Sequence, residues 1–142
     1  MRLFLDANIL FLAGYSASSP VHDLLALAAK GHCELLSSDY AFEEARRNLA
    51  LKSPADSVER FEAITAAIFH VQEASGVALR RAQEAKLSDT SDIPILAAAL
   101  QCGADVLVTG DRRAFGSFFG RRIENLRILR LRDALTELLA ER

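Results

Sequence analysis

Long hydrophobic runs, an excess of basic residues and a cysteine framework are all missing from this chain of 142 residues. No apolar stretch reaches the roughly 20 residues that a membrane-spanning helix needs. The longest, residues 93–100 and 24–29, fall well short. The N-terminal segment Met1-Arg2-Leu3-Phe4-Leu5 runs into Asp6 too soon for a signal peptide, so a cytoplasmic protein is expected. The two cysteines, Cys33 and Cys102, lie far apart and read as reduced, buried thiols. Three histidines, His22, His32 and His70, match no metal-binding spacing and read as surface or capping residues. A net charge of −2 is not the balance of a protein that coats nucleic acid. It leaves room for an acidic site whose charge a bound metal would offset. No Gly-x-Ser-x-Gly elbow, Walker A loop or Gly-x-Gly-x-x-Gly turn occurs; residues 115–120 contain two glycines at the wrong spacing.

What the chain does have is a large apolar fraction, 51%, enough for a real core. No repeat, low-complexity tract or linker divides it, so residues 1–142 are expected to form a single domain. Apolar segments at residues 2–5, 33–36, 70–72, 106–108 and 126–131 read as strands. Helical spacing marks residues 21–30, a segment after Ser37 or Ser38, one from Pro54 to about residue 69, and residues 77–86. Two more run from Thr90 or Ser91 to about Cys102, and over residues 133–140. Gly110 is expected to give a tight turn before Asp111. Strands alternating with helices imply βαβ units and an α/β fold with a parallel sheet.

Four acids recur beside these segments. Asp6 and Asp111 directly follow strand-like runs, and Glu44 and Asp92 lie in helices that begin after loops. In an open parallel sheet, ligands bind at the carboxyl ends of the strands. Carboxylates gathered there repel and raise one another's pKa, and a divalent cation relieves that repulsion. Hard oxygen ligands favour magnesium or manganese, which can activate water and stabilise charge at a phosphate. Asn8 and Thr109 could orient the acids. Each acid alone also reads as a turn residue, a helix cap or a solvated helix residue. The residues by themselves leave both readings open.

Four segments carry a resemblance. They are Leu5-Asp6-Ala7-Asn8-Ile9-Leu10, Glu43-Glu44-Ala45-Arg46-Arg47-Asn48-Leu49, Asp92-Ile93-Pro94-Ile95-Leu96-Ala97-Ala98-Ala99, and Leu107-Val108-Thr109-Gly110-Asp111-Arg112-Arg113-Ala114-Phe115. Together they resemble the signature of the PIN-domain family, and the length and order are similar to its small VapC-type toxins. The resemblance implies a three-layer α/β/α sandwich with a central parallel sheet and cleavage of RNA with Mg2+ or Mn2+. Asp6, Glu44, Asp92 and Asp111 would be catalytic and metal-binding, with Asn8, Thr109 and Asp89 in support. Glu43 stands as the alternative to Glu44, and Asp89 could be a further ligand or a loop residue. A small antitoxin would be the partner in a toxin-antitoxin pair. Ala114 stands where many relatives would be expected to carry a more polar residue.

Arginine pairs beside the acids, Arg46-Arg47 and Arg112-Arg113, could bind the RNA backbone, or be ordinary solvated charge. Phe115, Phe118 and Phe119 offer stacking platforms, although core packing is expected for at least two of them. A homodimer through the helix expected at residues 54–69 is a further expectation. The rival outside catalysis is a PIN-fold adaptor that only binds RNA or protein. A phospho-acceptor domain would need a lysine after a late strand, and Lys30, Lys52 and Lys86 do not stand there. A haloacid-type phosphatase would need an acid where Asn8 stands.

Overall fold

A computed structural model describes residues 1–52 and 55–141. Six strands, β1 (Arg2–Leu5), β2 (Glu34–Ser38), β3 (Phe69–Val71), β4 (Val106–Val108), β5 (Arg122–Ile123) and β6 (Leu126–Leu129), form one sheet. Their order is β3-β2-β1-β4-β6-β5. Every pairing is parallel except the antiparallel β5–β6 hairpin. Leu3, Phe4 and Leu5 are all fully buried. A strand that is apolar on both faces belongs at the centre of a covered parallel sheet, and Phe4 lies in register between Leu36 and Leu107.

Eight α-helices accompany the sheet among the described residues: α1 (Ala7–Tyr15), α2 (Val21–Ala29), α3 (Asp39–Lys52), α4 (Ala55–Thr65), α5 (Gly76–Gln83), α6 (Ile93–Gln101), α7 (Arg112–Phe115) and α8 (Leu131–Ala140). From β1 the chain steps outward to β2 and β3, then returns to β4 on the other side of β1. Right-handed crossovers in opposite directions put α1–α4 and α5–α6 on opposite faces. Accordingly α1, α3 and α4 pack on one another and α5 packs on α6. The expected three-layer sandwich is therefore present, with a mostly parallel sheet. The reversal of strand order between β1 and β4 makes a crevice at their carboxyl ends, where open α/β sheets hold ligands.

Several boundaries differ from expectation. The first helix, α1, begins at Ala7 and is apolar on most sides, so periodicity did not mark it. Ser38 caps α3 through its hydroxyl, which accepts from Ala41 N–H at 3.3 Å. The helix start expected at Pro54 lies outside the described residues, and α4 ends at Thr65 rather than near residue 69. Its Phe61 and Ile64 are buried in the core. The two-residue β5 and the one-turn α7 are too short to carry a periodic signal. Gly110 does not have a positive φ; its contribution is an N–H donated to Asn8 Oδ1 at 3.2 Å. Both cysteines are free thiols, Cys33 buried and Cys102 half-buried. No helix among the described residues is long and apolar enough to cross a membrane.

Candidate active site

The carboxyl ends of β1 and β4 are joined by the Asp6 N–H, which donates to Val108 O at 3.0 Å. Asp6 therefore continues the ladder by one residue and then turns its chain into α1, where it is the N-cap. Its side chain is 1% exposed. One oxygen accepts from Ala7 N–H at 2.7 Å and the other from the Thr109 hydroxyl at 2.6 Å. Thr109 is fully buried and is itself held by the Asp111 N–H at 3.0 Å. Asn8 Nδ2 stands 3.5 Å from the same hydroxyl. The two polar residues expected to support the acids thus form one network that locks the loop after β4 to the start of α1.

Asp111 caps α7, with Oδ1 accepting from Arg113 N–H and Ala114 N–H at 3.0 and 3.1 Å. An ordinary cap engages one oxygen, and here the second remains for the crevice. Asp92 reaches the same place from the start of α6 and is 5% exposed. A short 3-10 turn over Thr90–Asp92 precedes α6. Asp89, rather than Thr90 or Ser91, caps that turn, accepting from Ser91 N–H and from its hydroxyl at 3.0 and 2.7 Å. Carboxylate oxygens of Asp89, Asp92 and Asp111 all lie within 4.8 Å of one another. Asp89, a supporting residue in the sequence reading, is therefore part of the tightest acidic group in the described chain.

Asp6 and Glu44 complete the lining. A cleft of about 190 Å³ is bounded by Asp6, Asn8, Glu44, Asp92 and Asp111, and by Phe11, Asn48 and Lys52. Glu44 rather than Glu43 faces this cleft. Glu43 is exposed, pairs with Arg46 and lines a separate, larger groove beside α3. The helical wheel explains the choice. Phe42, Ala45 and Leu49 are buried, and the adjacent stripe Tyr40, Glu44, Asn48 and Lys52 recurs every four residues along α3. Asn48, Lys52 and Phe11 escaped the sequence reading. For the first two the signal was available in that i, i+4, i+8 spacing from Glu44.

Electrostatics follow from this crowding. Burial pushes the Asp6 carboxyl up to about 6, against the lowering effect of the Thr109 and Ala7 hydrogen bonds, and Asp111 and Glu44 add repulsion. Asp92 is pushed up to about 8 by burial first, then by a carboxyl–carboxyl hydrogen bond with Asp111 and the charges of Asp6, Asp111 and Asp89. Glu44 is raised by burial and by Asp111 and Asp89, with Arg47 opposing. Asp89 is lowered by its Ser91 hydrogen bonds. These acids offer hard oxygen donors whose negative charges oppose one another, a donor set that fits a divalent cation.

The arginines divide. Arg46 is engaged by Glu62 at 2.7 Å and by Glu43, and lies over the Phe61 ring. Arg47 sits near Glu44 and lines the larger groove. Arg112 and Arg113 are exposed directly beyond Asp111. Phe115 is wholly core, whereas Phe118 and Phe119 are half-buried.

The sequence model of the PIN domain matches residues 2–113. No curated protein matches the chain. Among solved structures, VapBC2 from Rickettsia felis, bound to a DNA fragment from its promoter, is similar at a TM-score of 0.67 and 18% identity, over 92% of this chain and 98% of that one. PAE2754 from Pyrobaculum aerophilum is similar at 0.67 and 17%, over 99% and 96%. VapC20 of Mycobacterium tuberculosis, a Sarcin-Ricin loop cleaving toxin, is similar at 0.54 and 15%, over 78% and 90%. At such identities the likeness is one of fold.

Proposed function

The chain belongs to the PIN-domain family, and from that premise we propose that it is a Mg2+- or Mn2+-dependent endoribonuclease. The single observation that carries the reading is the convergence of Asp6, Glu44, Asp89, Asp92 and Asp111 at the strand-order reversal. Asp6 and Asp92 are both buried there, their protonation displaced to about 6 and about 8. Four repelling acids lining one cleft, with Asp89 set against two of them, give an adaptor nothing it needs.

Asp92, Asp111 and Asp89 would hold the ion, with Asp6 and Glu44 lining the same cleft as Asp92 and Asp111. When bound, the ion supplies water activation and charge neutralisation at the scissile phosphate. The Thr109 hydroxyl fixes the Asp6 carboxylate and Ala7 N–H holds its other oxygen, so the acid needs little reorganisation. Asn8 steadies both Thr109 and the Gly110 backbone. Lys52, at the rim of the cleft, adds a positive charge that favours an incoming phosphate. In the reaction water adds to phosphorus in line, the P–O3′ bond breaks, and O3′ departs with a proton. The products are a 5′-phosphate and a 3′-hydroxyl.

The fold shared with VapC toxins supports a role as the toxin of a toxin-antitoxin pair, with a small antitoxin covering the cleft. The test is the chemistry of the cut ends. A panel of single-stranded and folded RNAs incubated with the protein and magnesium should give fragments with 5′-phosphates. Fragments ending in 2′,3′-cyclic phosphates, or no fragments, would contradict the reading. The toxin role is checked by expression in a bacterial host, where the wild type should slow growth and the Asp92→Asn variant should not.

A further inference from the structure

Charge is divided unevenly along this chain. Residues 112–132 hold seven of the 17 Lys and Arg residues and one of the 19 acids, Glu124, so this stretch carries +6 in a chain of net −2. It runs from α7 to the start of α8 and builds the β6–β5 side of the sheet. Glu124 is taken by Arg81, and Arg127 by Glu137. Among the described residues, Arg112, Arg113, Arg130 and Arg132 form no ion pair, although the charge of Arg113 is felt by Asp89. All four are exposed.

Topology puts these four beside the acids. Arg112 and Arg113 open α7 immediately after Asp111. Arg130 and Arg132 follow β6, whose Leu129 pairs with Val108 and accepts the Thr109 N–H at 3.0 Å. The basic group therefore occupies the same carboxyl-end edge as the acidic cleft, one strand further along. The guanidinium carbon of Arg130 lies over the Phe119 ring, 4.5 Å from its centroid. A cation–π contact of this kind steadies the guanidinium without using up its N–H donors.

We infer that single-stranded RNA leaves the acidic cleft along this edge, its phosphates on Arg112, Arg113, Arg130 and Arg132 and a base against the Arg130–Phe119 stack. The inference rests on the ribonuclease reading and adds the direction of the strand. Arg46, already engaged by Glu43 and Glu62, lies off this path. A flexible single strand suits an edge that combines spaced cations with a ring platform. An acidic polypeptide would find the arginines but brings no base to set against the Phe119 ring.

The test is fluorescence anisotropy of a short, mixed-sequence, 5′-labelled oligoribonucleotide, titrated with full-length Asp6→Asn protein across a range of potassium chloride. Adding Arg130→Gln and Arg132→Gln should weaken binding roughly tenfold and flatten the slope of log Kd against log salt by about 1.4, for two phosphate contacts on a single strand. Phe119→Leu should weaken binding with little change in slope. Lys30→Gln, at the end of α2 on the opposite edge, should change neither. Unchanged affinity and slope in the double arginine variant, with circular dichroism confirming its fold, would overturn the path while leaving the nuclease reading intact. Loss of polyglutamate binding with RNA binding unchanged would assign the edge to an acidic protein partner and overturn the path as well. No RNA binding by the Asp6→Asn protein itself would overturn both the path and the nuclease reading.

Discussion

Asp6 is buried with two hydrogen-bond donors and a crowd of like charges. The folded protein holds the Asp6 and Asp92 protons more tightly than an unfolded chain would, since both pKa values are raised. The stability linked to those protons is fully present below the ordinary carboxylate value of 3.8. It is lost as pH rises through about 6 for Asp6 and about 8 for Asp92. The melting temperature of the metal-free protein should therefore fall between about pH 4 and about pH 8, and added magnesium should restore it at the upper end. A flat, magnesium-insensitive profile would contradict this packing of acids. Asp6→Asn removes one charge and should stabilise the metal-free protein at pH 8 by up to about 3 kcal/mol, from a shift of about two pKa units. Chemical denaturation checks the gain. Thr109→Val deletes the hydroxyl that orients Asp6 and should reduce metal affinity or cutting by about 10- to 100-fold, read by titration calorimetry or initial rates.

Elements were legible where their pattern was strong and local. β1 and β4 are short, continuous apolar runs, so Asp6 and Asp111 could be placed at strand ends from residue order alone. Glu44 was legible as a helix residue, but its choice over Glu43 needed the packed face of α3. Asp89 was harder, because its position in the acidic group depends on a 3-10 turn that periodicity does not encode. The apolar α1 offered no contrast between faces, yet its packing on α4 is tight. A Cβ on Gly14 would stand 2.7 Å from Leu49 Cδ1 and 2.9 Å from Phe61 Cβ. Gly14→Ala should therefore destabilise the fold by about 1–3 kcal/mol through overpacking, measured by urea denaturation. The acids lie elsewhere on the sheet edge, so the folded fraction should still bind magnesium.

At the scale of the whole molecule, two opposite charge clusters share one edge of the sheet. Strand order brings them there: β1 and β4 supply the acidic crevice, and β6 adds the arginines beside it. The parallel α/β architecture could be read from alternating strands and helices. The placement of Arg130 on the same sheet edge as Asp111 could not, because it follows from β6 pairing with β4 rather than with an earlier strand. The central claim is that the acidic crevice cuts RNA with a divalent ion, and it is tested most directly by initial cleavage rates. Wild type, Asp6→Asn and Asp92→Asn would be compared on one RNA panel with magnesium, manganese or EDTA. Cutting by wild type with either metal, abolished by EDTA and reduced at least about a hundredfold in both variants, is the expected result. Equal rates in all three proteins, or cutting that survives EDTA, would contradict it.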